Sequence, residues 1–123
     1  EGWSGKDYES ETLRTDSFNV IAKAGGETVG YLVGRFIQSE RLAELFNIGV
    51  EPRFRRKSVG EAMLKEFIGF CDSEKVEKLY LEVRNSNETA IQFYLKNDFA
   101  IIGKRKNFYN NPIEDAILMS KNL

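Results

Sequence analysis

The sequence predicts an α/β fold with a mixed, mostly antiparallel sheet, a central parallel pair of strands and flanking helices. Three observations predict this class. Short β-rich runs begin and end the chain, two amphipathic helical patterns lie in its second half, and the first helix separates two buried apolar runs. A helix between two buried strands favours their parallel pairing, because the chain has to cross the sheet between them. The length of 123 residues predicts one domain over residues 1–123.

Composition narrows the classes of function. Apolar residues make up 41% of the chain and charged residues 30%, which is typical of a globular protein, and the net charge of −1 gives no reason to expect nucleic acid as a direct partner. The sequence contains no apolar run of about 20 residues and no signal-peptide pattern, which predicts a cytoplasmic protein without a membrane partner. The single cysteine, Cys71, excludes an intramolecular disulfide and is expected in the core.

The absence of histidine excludes several kinds of active site. Serine–histidine–aspartate and cysteine–histidine catalysis, two-histidine zinc sites and a histidine general base all need that side chain. No metal is therefore expected. Acid–base chemistry would fall to glutamate, aspartate, tyrosine, lysine or a chain terminus.

The first half of the chain is predicted to supply three strands, at residues 18–24, 28–37 and 45–50. Gly25 and Gly26 separate the first two, and paired glycines readily take the positive φ angles of a hairpin turn. The third run is short and mostly apolar, which is typical of a buried central strand. Residues 38–43 are polar and predict a connection, and residues 3–13 predict a short helix or a loop.

The second half is predicted to form helices at residues 59–71 and 87–96 and strands at residues 79–83, 99–106 and 114–119. Ser58 and Glu61 match the S-x-x-E capping box, which begins many helices. Asn97 and Asp98 follow the second helix and can supply its left-handed end. Residues 107–113 are predicted to be the loop between the last two strands.

The strongest chemical signal is the turn between the strand at 45–50 and the helix at 59–71. Its basic residues are Arg53, Arg55, Arg56 and Lys57. Backbone N–H groups at a helix start and the helix dipole favour an anion there, and flanking cations strengthen the attraction. The turn matches neither G-x-x-x-x-G-K-[ST] nor G-x-G-x-x-G. On these residues alone, a solvated basic loop or a nucleic-acid patch stays open.

This turn resembles the coenzyme A signature of the GNAT superfamily of acetyl-CoA-dependent N-acetyltransferases, Q/R-x-x-G-x-G/A. Arg55 and Gly60 match it, whereas Ser58 replaces its middle glycine and so puts a hydroxyl where backbone would meet phosphate. Residues 79–99 resemble the closing part of the same fold, closest to the bacterial ribosomal-protein-alanine N-acetyltransferases and their archaeal relatives. The matching residues are Glu82, Val83, Arg84, Ser86, Asn87, Ala90, Ile91, Tyr94 and Phe99.

The resemblance implies the GNAT fold, with acetyl-coenzyme A as cosubstrate. A weaker match at Trp3 and Ser4 implies that the family's first strand and most of its first helix lie upstream of Glu1. The implied coenzyme-binding residues are Ile48, Val50, Arg55, Arg56, Lys57, Ser58, Val59, Gly60, Asn87 and Tyr94. Among them, the backbone N–H groups of Ile48 and Val50 are expected to polarise the acetyl carbonyl.

The resemblance also implies two catalytic residues, Glu82 and Tyr94. An α-amino group has a pKa near 8 and is mostly protonated at pH 7, so a general base has to take its proton before it can attack. Glu82 is expected where the parallel strands separate, and Tyr94 is implied to protonate the departing thiolate. On the residues alone, Glu82 could instead pair with Arg84 or with a cation of a neighbouring strand. Tyr94 could likewise be apolar core, and Asn87 a plain helix cap.

The acceptor implied by the resemblance is the N-terminal α-amino group of a protein, with a small-subunit ribosomal protein as substrate. Phe108 and Tyr109 are implied to form the acceptor groove, although they could merely close the end of the sheet. Two alternatives stay open: a GNAT enzyme that acetylates a small amine such as a polyamine, aminoglycoside or amino acid, and a GNAT protein that binds acetyl-CoA without turnover. Monomer and homodimer are equally compatible with the sequence.

Overall fold

The structure is a computed structural model that describes residues 8–11, 17–55 and 58–123. These residues form one sheet of seven strands in the spatial order β1-β2-β3-β4-β5-β7-β6. The strands are β1 Tyr8–Glu11, β2 Ser17–Ala24, β3 Glu27–Ile37, β4 Leu42–Val50, β5 Lys78–Arg84, β6 Ala100–Tyr109 and β7 Glu114–Asn122. The helices are α1 Val59–Ser73 and α2 Glu88–Lys96, with short 3-10 turns at Gln38–Glu40 and Pro52–Phe54. Neither α-helix of this described part is long and apolar enough to cross a membrane.

From β2 onward the predicted order of strands and helices is confirmed, and so is the central parallel pair. β4 and β5 are parallel, and every other neighbouring pair in the sheet is antiparallel. Gly25 and Gly26 take φ angles of 59° and 88° in the hairpin turn, and Asp98 takes a φ of 71° at the end of α2. The predicted hairpin turn and the predicted left-handed end of α2 are therefore confirmed.

Three predicted boundaries are wrong. Residues 8–11 form an edge strand rather than a helix or loop, because their backbone pairs with β2 and needs no apolar alternation. β4 begins at Leu42, inside the predicted connection. β6 extends to Tyr109, so Phe108 and Tyr109 belong to a strand rather than to a loop. The predictions for Trp3, Ser4, Arg56 and Lys57 fall outside the described residues.

The core lies on one face of the sheet, beneath α1 and α2. The side chains of Phe18, Phe36, Phe67 and Phe70 form an aromatic cluster there, and the Phe18 and Phe70 rings stack with centroids 3.9 Å apart. A Cβ atom at Gly34 would lie 2.4 Å from the Phe67 ring, so only glycine lets α1 approach β3 this closely. The aromatic packing fixes the position of α1 on the sheet.

The parallel pair opens into a gap at its carboxyl end. Hydrogen-bonded pairing of β4 with β5 ends at Leu45 and Leu81, although both strands continue. At the same point Phe46 is an extra residue in β4, because Val33 pairs with Asn47 while Gly34 pairs with Leu45. A bulge of this kind bends its strand, and here it turns the end of β4 away from β5.

Side chains of β5 alternate between the two faces of the sheet. Leu79, Leu81 and Val83 are buried beneath the helices, whereas Tyr80 and Glu82 point to the opposite face, which we call the open face. The predicted base and the predicted acid therefore lie on different faces, since Tyr94 belongs to the core beneath the helices.

Candidate active site

The gap between β4 and β5 is lined on one side by unpaired backbone. The Glu51 N–H group donates to the Val29 carbonyl of β3 at 2.8 Å, which fixes the direction of alternate N–H groups along β4. The N–H groups of Ile48 and Val50 consequently point away from β3 and into the gap. Two such donors, aimed into a space that backbone does not fill, are suited to bind a carbonyl oxygen or an amide chain.

The start of α1 forms a second set of donors beside the gap. Ser58 has φ 64° and ψ 15°, a left-handed conformation, and the helix follows directly at Val59. A left-handed residue followed by helical residues turns successive N–H groups inward, which makes an anion-binding concavity. Val59 is buried, so its backbone rather than its side chain is available to a ligand. These residues fit the pyrophosphate of a coenzyme.

The capping box predicted for Ser58 and Glu61 is wrong. The Ser58 side chain makes no capping hydrogen bond with the described residues, because its left-handed backbone turns the hydroxyl away from the first helical turn. Glu61 instead pairs with Lys96 of α2, with their charged atoms 3.4 Å apart. Ser58 therefore occupies the place of the family glycine in a conformation that glycine adopts more readily.

The two described arginines of the basic turn have different surroundings. Arg53 is engaged by Glu51 at 2.7 Å and by Glu27 at 3.4 Å, so its charge is already matched. Arg55 donates from Nε to the Val50 carbonyl at 3.2 Å, which holds its guanidinium at the mouth of the gap. Arg56 and Lys57 lie outside the described residues.

Helix α2 closes the gap on the core side. A Cβ atom at Gly60 would lie 3.3 Å from the Phe93 ring, so the start of α1, α2 and the end of β4 converge. Tyr94 follows Phe93, and burial raises its pKa to about 12. Its hydroxyl is therefore protonated at neutral pH. Asn87 Oδ1 accepts the Ala90 N–H group at 3.2 Å, so Asn87 does cap the helix.

Glu82 lies on the open face in a groove of about 360 Å³. The groove is lined by Glu44, Leu45, Phe46, Tyr80, Leu81, Glu82, Ile102, Arg105, Tyr109 and Leu118. Glu82 Oε2 lies 3.1 Å from Arg105 Nε, and both side chains are partly exposed. The suggested pairing of Glu82 with Arg84 is thus wrong, and the cation comes from β6, two strands away.

Tyr109 joins the same groove and is held by Arg84. The Arg84 guanidinium lies over the Tyr109 ring at 4.4 Å and pairs with Glu114 at 3.1 Å. Burial raises the pKa of Tyr109, the Glu82 carboxylate raises it further, and Arg84 opposes that shift. Phe108 is exposed and packs edge-on against Tyr109. The structure thus brings Glu82 and Tyr109 together, although they are distant in the sequence.

Sequence reasoning missed the roles of Arg84, Arg105 and Glu114. The sequence suggests Arg84 only as a family match and as one partner of Glu82. Alternation along β5 put Glu82 and Arg84 on one face, but no sequence signal could give the order of β6 and β7 in the sheet. Only that order places Arg105 beside Glu82.

Comparisons with known proteins identify the class to which this fold and site belong. A family model described as "Acetyltransferase (GNAT) family" matches residues 1–99. Because that match covers most of the chain, the protein belongs to the GNAT family and is an acetyltransferase that uses acetyl-coenzyme A.

Its relatives include proteins named as ribosomal-protein-alanine N-acetyltransferases and as an N-alpha-acetyltransferase. The chain is 32% identical over 120 residues to the [ribosomal protein bS18]-alanine N-acetyltransferase of Escherichia coli strain K12, covering 96% of this chain and 79% of that protein. It is 30% identical over 123 residues to N-alpha-acetyltransferase RimI of Mycobacterium tuberculosis, covering 97% and 75%. The crystal structure of the Escherichia coli ribosomal-protein-S18-alanine enzyme superposes with a TM-score of 0.80 at 30% identity, over 89% and 71% of the two chains.

A second acetyltransferase structure is similar to the same degree. The crystal structure of nourseothricin acetyltransferase superposes with a TM-score of 0.82 at 28% identity, covering 88% of this chain and 66% of that one. The two structures, named for different acceptors, superpose on this chain almost equally well, so overall shape does not identify the acceptor.

Proposed function

We propose that the protein transfers the acetyl group of acetyl-coenzyme A to the N-terminal α-amino group of a protein, with a ribosomal protein as substrate. The observation that carries this proposal is the groove on the open face, where Glu82 and Tyr109 lie together beside the gap between β4 and β5. The names of the relatives from Escherichia coli and Mycobacterium tuberculosis support the same acceptor.

The coenzyme would bind along the gap on the other side. The N–H groups of Ile48 and Val50 are suited to the pantetheine amide and the acetyl carbonyl, and those from Ser58 to Gly60 to the pyrophosphate. Arg55 adds positive charge at the mouth of the gap. Arg56, Lys57 and Asn87 complete the proposed set on the strength of the sequence resemblance. When bound, the coenzyme supplies an activated acetyl thioester.

Glu82 is the proposed general base. The acceptor amine loses a proton to the carboxylate, directly or through water, and its nitrogen then forms a bond to the acetyl carbon. Partial exposure of Glu82 lets that proton continue to solvent. An incoming ammonium group would compete with Arg105 for the Glu82 carboxylate.

Tyr94 is the proposed general acid. As the carbon–sulfur bond breaks, the electron pair stays on sulfur and the thiolate needs a proton. A buried tyrosine whose pKa is raised to about 12 keeps its proton at neutral pH and can donate it when an anion forms nearby. Solvent then restores the proton after product release.

A second candidate function is acetylation of a small amine. The similarity to nourseothricin acetyltransferase favours it. The groove also carries two carboxylates, Glu44 and Glu82, for which a polycation would compete with their partners Arg35 and Arg105. A non-catalytic role in coenzyme binding is a weaker candidate, because the groove retains Glu82 beside a ready acceptor site.

The test is acceptor-dependent thiol release with Glu82→Gln. On an alanine-initiated peptide, kcat should fall about 10²-fold at pH 7 and recover partly at higher pH, where the amine deprotonates unaided. Glu77→Gln is the control, since Glu77 pairs only with Arg41 at the far end of β5 in the described structure. Turnover of polyamines or aminoglycosides but not of peptides would reject the protein acceptor, and full activity of Glu82→Gln would reject the base.

A further inference from the structure

We infer that Arg84 is the positioning residue of the acceptor groove: it holds the turn between β6 and β7 so that Tyr109 stays beside Glu82. The inference rests on the proposed function in one respect, since it takes the groove on the open face as the acceptor site. Arg84 itself does not line the groove. It would therefore act through Tyr109 rather than on the acceptor.

Four contacts of one guanidinium carry the inference. Arg84 Nη1 donates to the Pro112 carbonyl at 3.3 Å and to Glu114 Oε1 at 3.1 Å. Its Nη2 donates to the Asn110 carbonyl at 3.2 Å. The plane also lies over the Tyr109 ring, 4.4 Å from its centroid. The planar guanidinium of arginine can make these three hydrogen bonds and the ring contact at the same time, whereas the compact ammonium group of lysine cannot.

The sheet alone does not hold this turn. Pairing of β6 with β7 is interrupted after Arg105 and resumes only at Tyr109, which pairs with Glu114. Between them, Asn107 takes a φ of 52° and its N–H group donates to Asp115 Oδ1 at 2.8 Å. A bulge leaves residues without ladder partners and lets the strand end swing. Arg84 contacts the residues beyond this bulge, where the pairing of β6 with β7 consists of Tyr109 with Glu114.

Glu114 extends the link to the other half of the site. Its Oε1 pairs with Arg84, and its Oε2 accepts the N–H group of Ser86, just before the cap of α2. These hydrogen bonds hold the pKa of Glu114 below its usual range, with the Ser86 contact as the largest cause. The carboxylate therefore stays ionised at neutral pH. Arg84 thus joins the acceptor side of the gap to the helix that carries Tyr94.

The experiment compares Arg84→Lys and Arg84→Gln with Arg41→Gln. Arg41 forms an ion pair of similar length with Glu77 at the opposite end of β5, which makes it a matched control. In Arg84→Lys the ammonium can keep the pair with Glu114, so thermal stability should stay near that of the control. The acceptor KM should nevertheless rise about tenfold in both Arg84 variants, with the KM for acetyl-CoA unchanged.

A double variant tests whether the effect passes through Tyr109. If Arg84 acts by positioning that ring, Arg84→Lys should add nothing to the acceptor KM once Tyr109→Ala is present. An unchanged acceptor KM in folded Arg84→Lys would overturn the inference, and so would equal rises in both KM values or additive effects in the double variant. The acceptor KM is measured on the amine that the wild type acetylates, so failure of the peptide proposal leaves this test intact.

Discussion

Ser58 shows how one residue departs from its family and what the departure costs. The residue keeps the left-handed conformation of the glycine that it replaces, with φ 64°, and it makes no capping bond with the described part of the chain. A left-handed conformation costs a non-glycine residue roughly 1–2 kcal/mol. The hydroxyl therefore brings no stability to α1 by capping, and its remaining role would be toward a ligand.

Replacing Ser58 with glycine tests that role. The free energy of unfolding should rise by about 1 kcal/mol, because the strain of the left-handed residue is relieved. The Kd for acetyl-CoA shows whether the Ser58 hydroxyl helps or hinders coenzyme binding. A lower or equal Kd means that the side chain only obstructs the backbone, and a higher Kd means that the hydroxyl donates to phosphate. Chemical denaturation gives the free energy of unfolding and calorimetry gives the Kd. Lys75→Gly is the control for strain relief alone, because Lys75 takes a φ of 61° beyond the other end of α1. Lower stability of Ser58→Gly would contradict the strain argument.

Individual residues were less predictable than their elements. Cys71 was correctly expected in the core, since it shares the apolar positions of α1. The S-x-x-E pattern at Ser58 and Glu61 predicts a capping box that the structure does not have. The same four-residue pattern is also compatible with a left-handed backbone at the serine, which the structure shows. Local sequence gives the residue types that favour a cap, but the direction from which the chain enters the helix depends on the whole turn.

At the scale of elements, the geometry at the end of β6 determines where the side chains of Phe108 and Tyr109 lie. The bulge after Arg105 carries Phe108 to the surface and turns Tyr109 toward the groove. Arg105 lies over the Phe108 ring at 5.2 Å while it pairs with Glu82. The two aromatic residues are therefore unequal: Tyr109 lines the groove itself, whereas Phe108 lies outside it and contacts two of its lining residues, Arg105 and Tyr109.

Tyr109→Ala is expected to raise the acceptor KM about tenfold while leaving the KM for acetyl-CoA within about twofold. The ring lines the groove beside Glu82, so its loss removes contact area from the acceptor alone. Phe108→Ala is the matched control, with an adjacent ring of similar size outside the groove, and its acceptor KM should change much less. A large fall in melting temperature with an unchanged acceptor KM would mean that Tyr109 serves the fold.

The elements themselves were largely predictable, since periodicity and turn residues act locally. Apolar runs at β4 and β5 and the helix between them predict the parallel pair from the sequence alone. What could not be predicted was the polar edge strand Tyr8–Glu11 and the extension of β6, because both depend on a neighbouring strand that offers backbone hydrogen bonds. The bulge at Phe46 was equally hidden, although it opens the gap.

At the scale of the molecule, the sheet separates two chemical environments. The core face holds Tyr94, which is almost fully buried, and the open face holds Glu82 in a groove that reaches solvent. The gap between β4 and β5 is the passage between them. The environments suit the two proposed proton transfers, since a base has to lose its proton to solvent while an acid has to keep one until it is needed.

The same burial predicts how the whole molecule responds to alkali. Burial raises the pKa of Cys71 from 9.0 to about 12 and that of Tyr94 from 10.0 to about 12. In the unfolded chain these groups lose their protons from about pH 9 and pH 10 upward, while the folded protein retains them. The unfolded state then binds fewer protons, so the free energy of unfolding should fall between pH 9 and 12, by at most about 1.4 kcal/mol per pH unit for each group.

Urea unfolding at several values between pH 7 and 11 measures this fall, and two variants assign it. Cys71→Ala should be less stable than the wild type near neutral pH, because it loses a packed sulfur atom, yet its stability should decline less steeply above pH 9. Tyr94→Phe should flatten the curve only above pH 10, since phenylalanine has no proton to release. Tyr80→Phe is the control, because it removes a phenol hydroxyl from the open face rather than from the core. Parallel curves for all four proteins would mean that neither buried group governs alkaline stability.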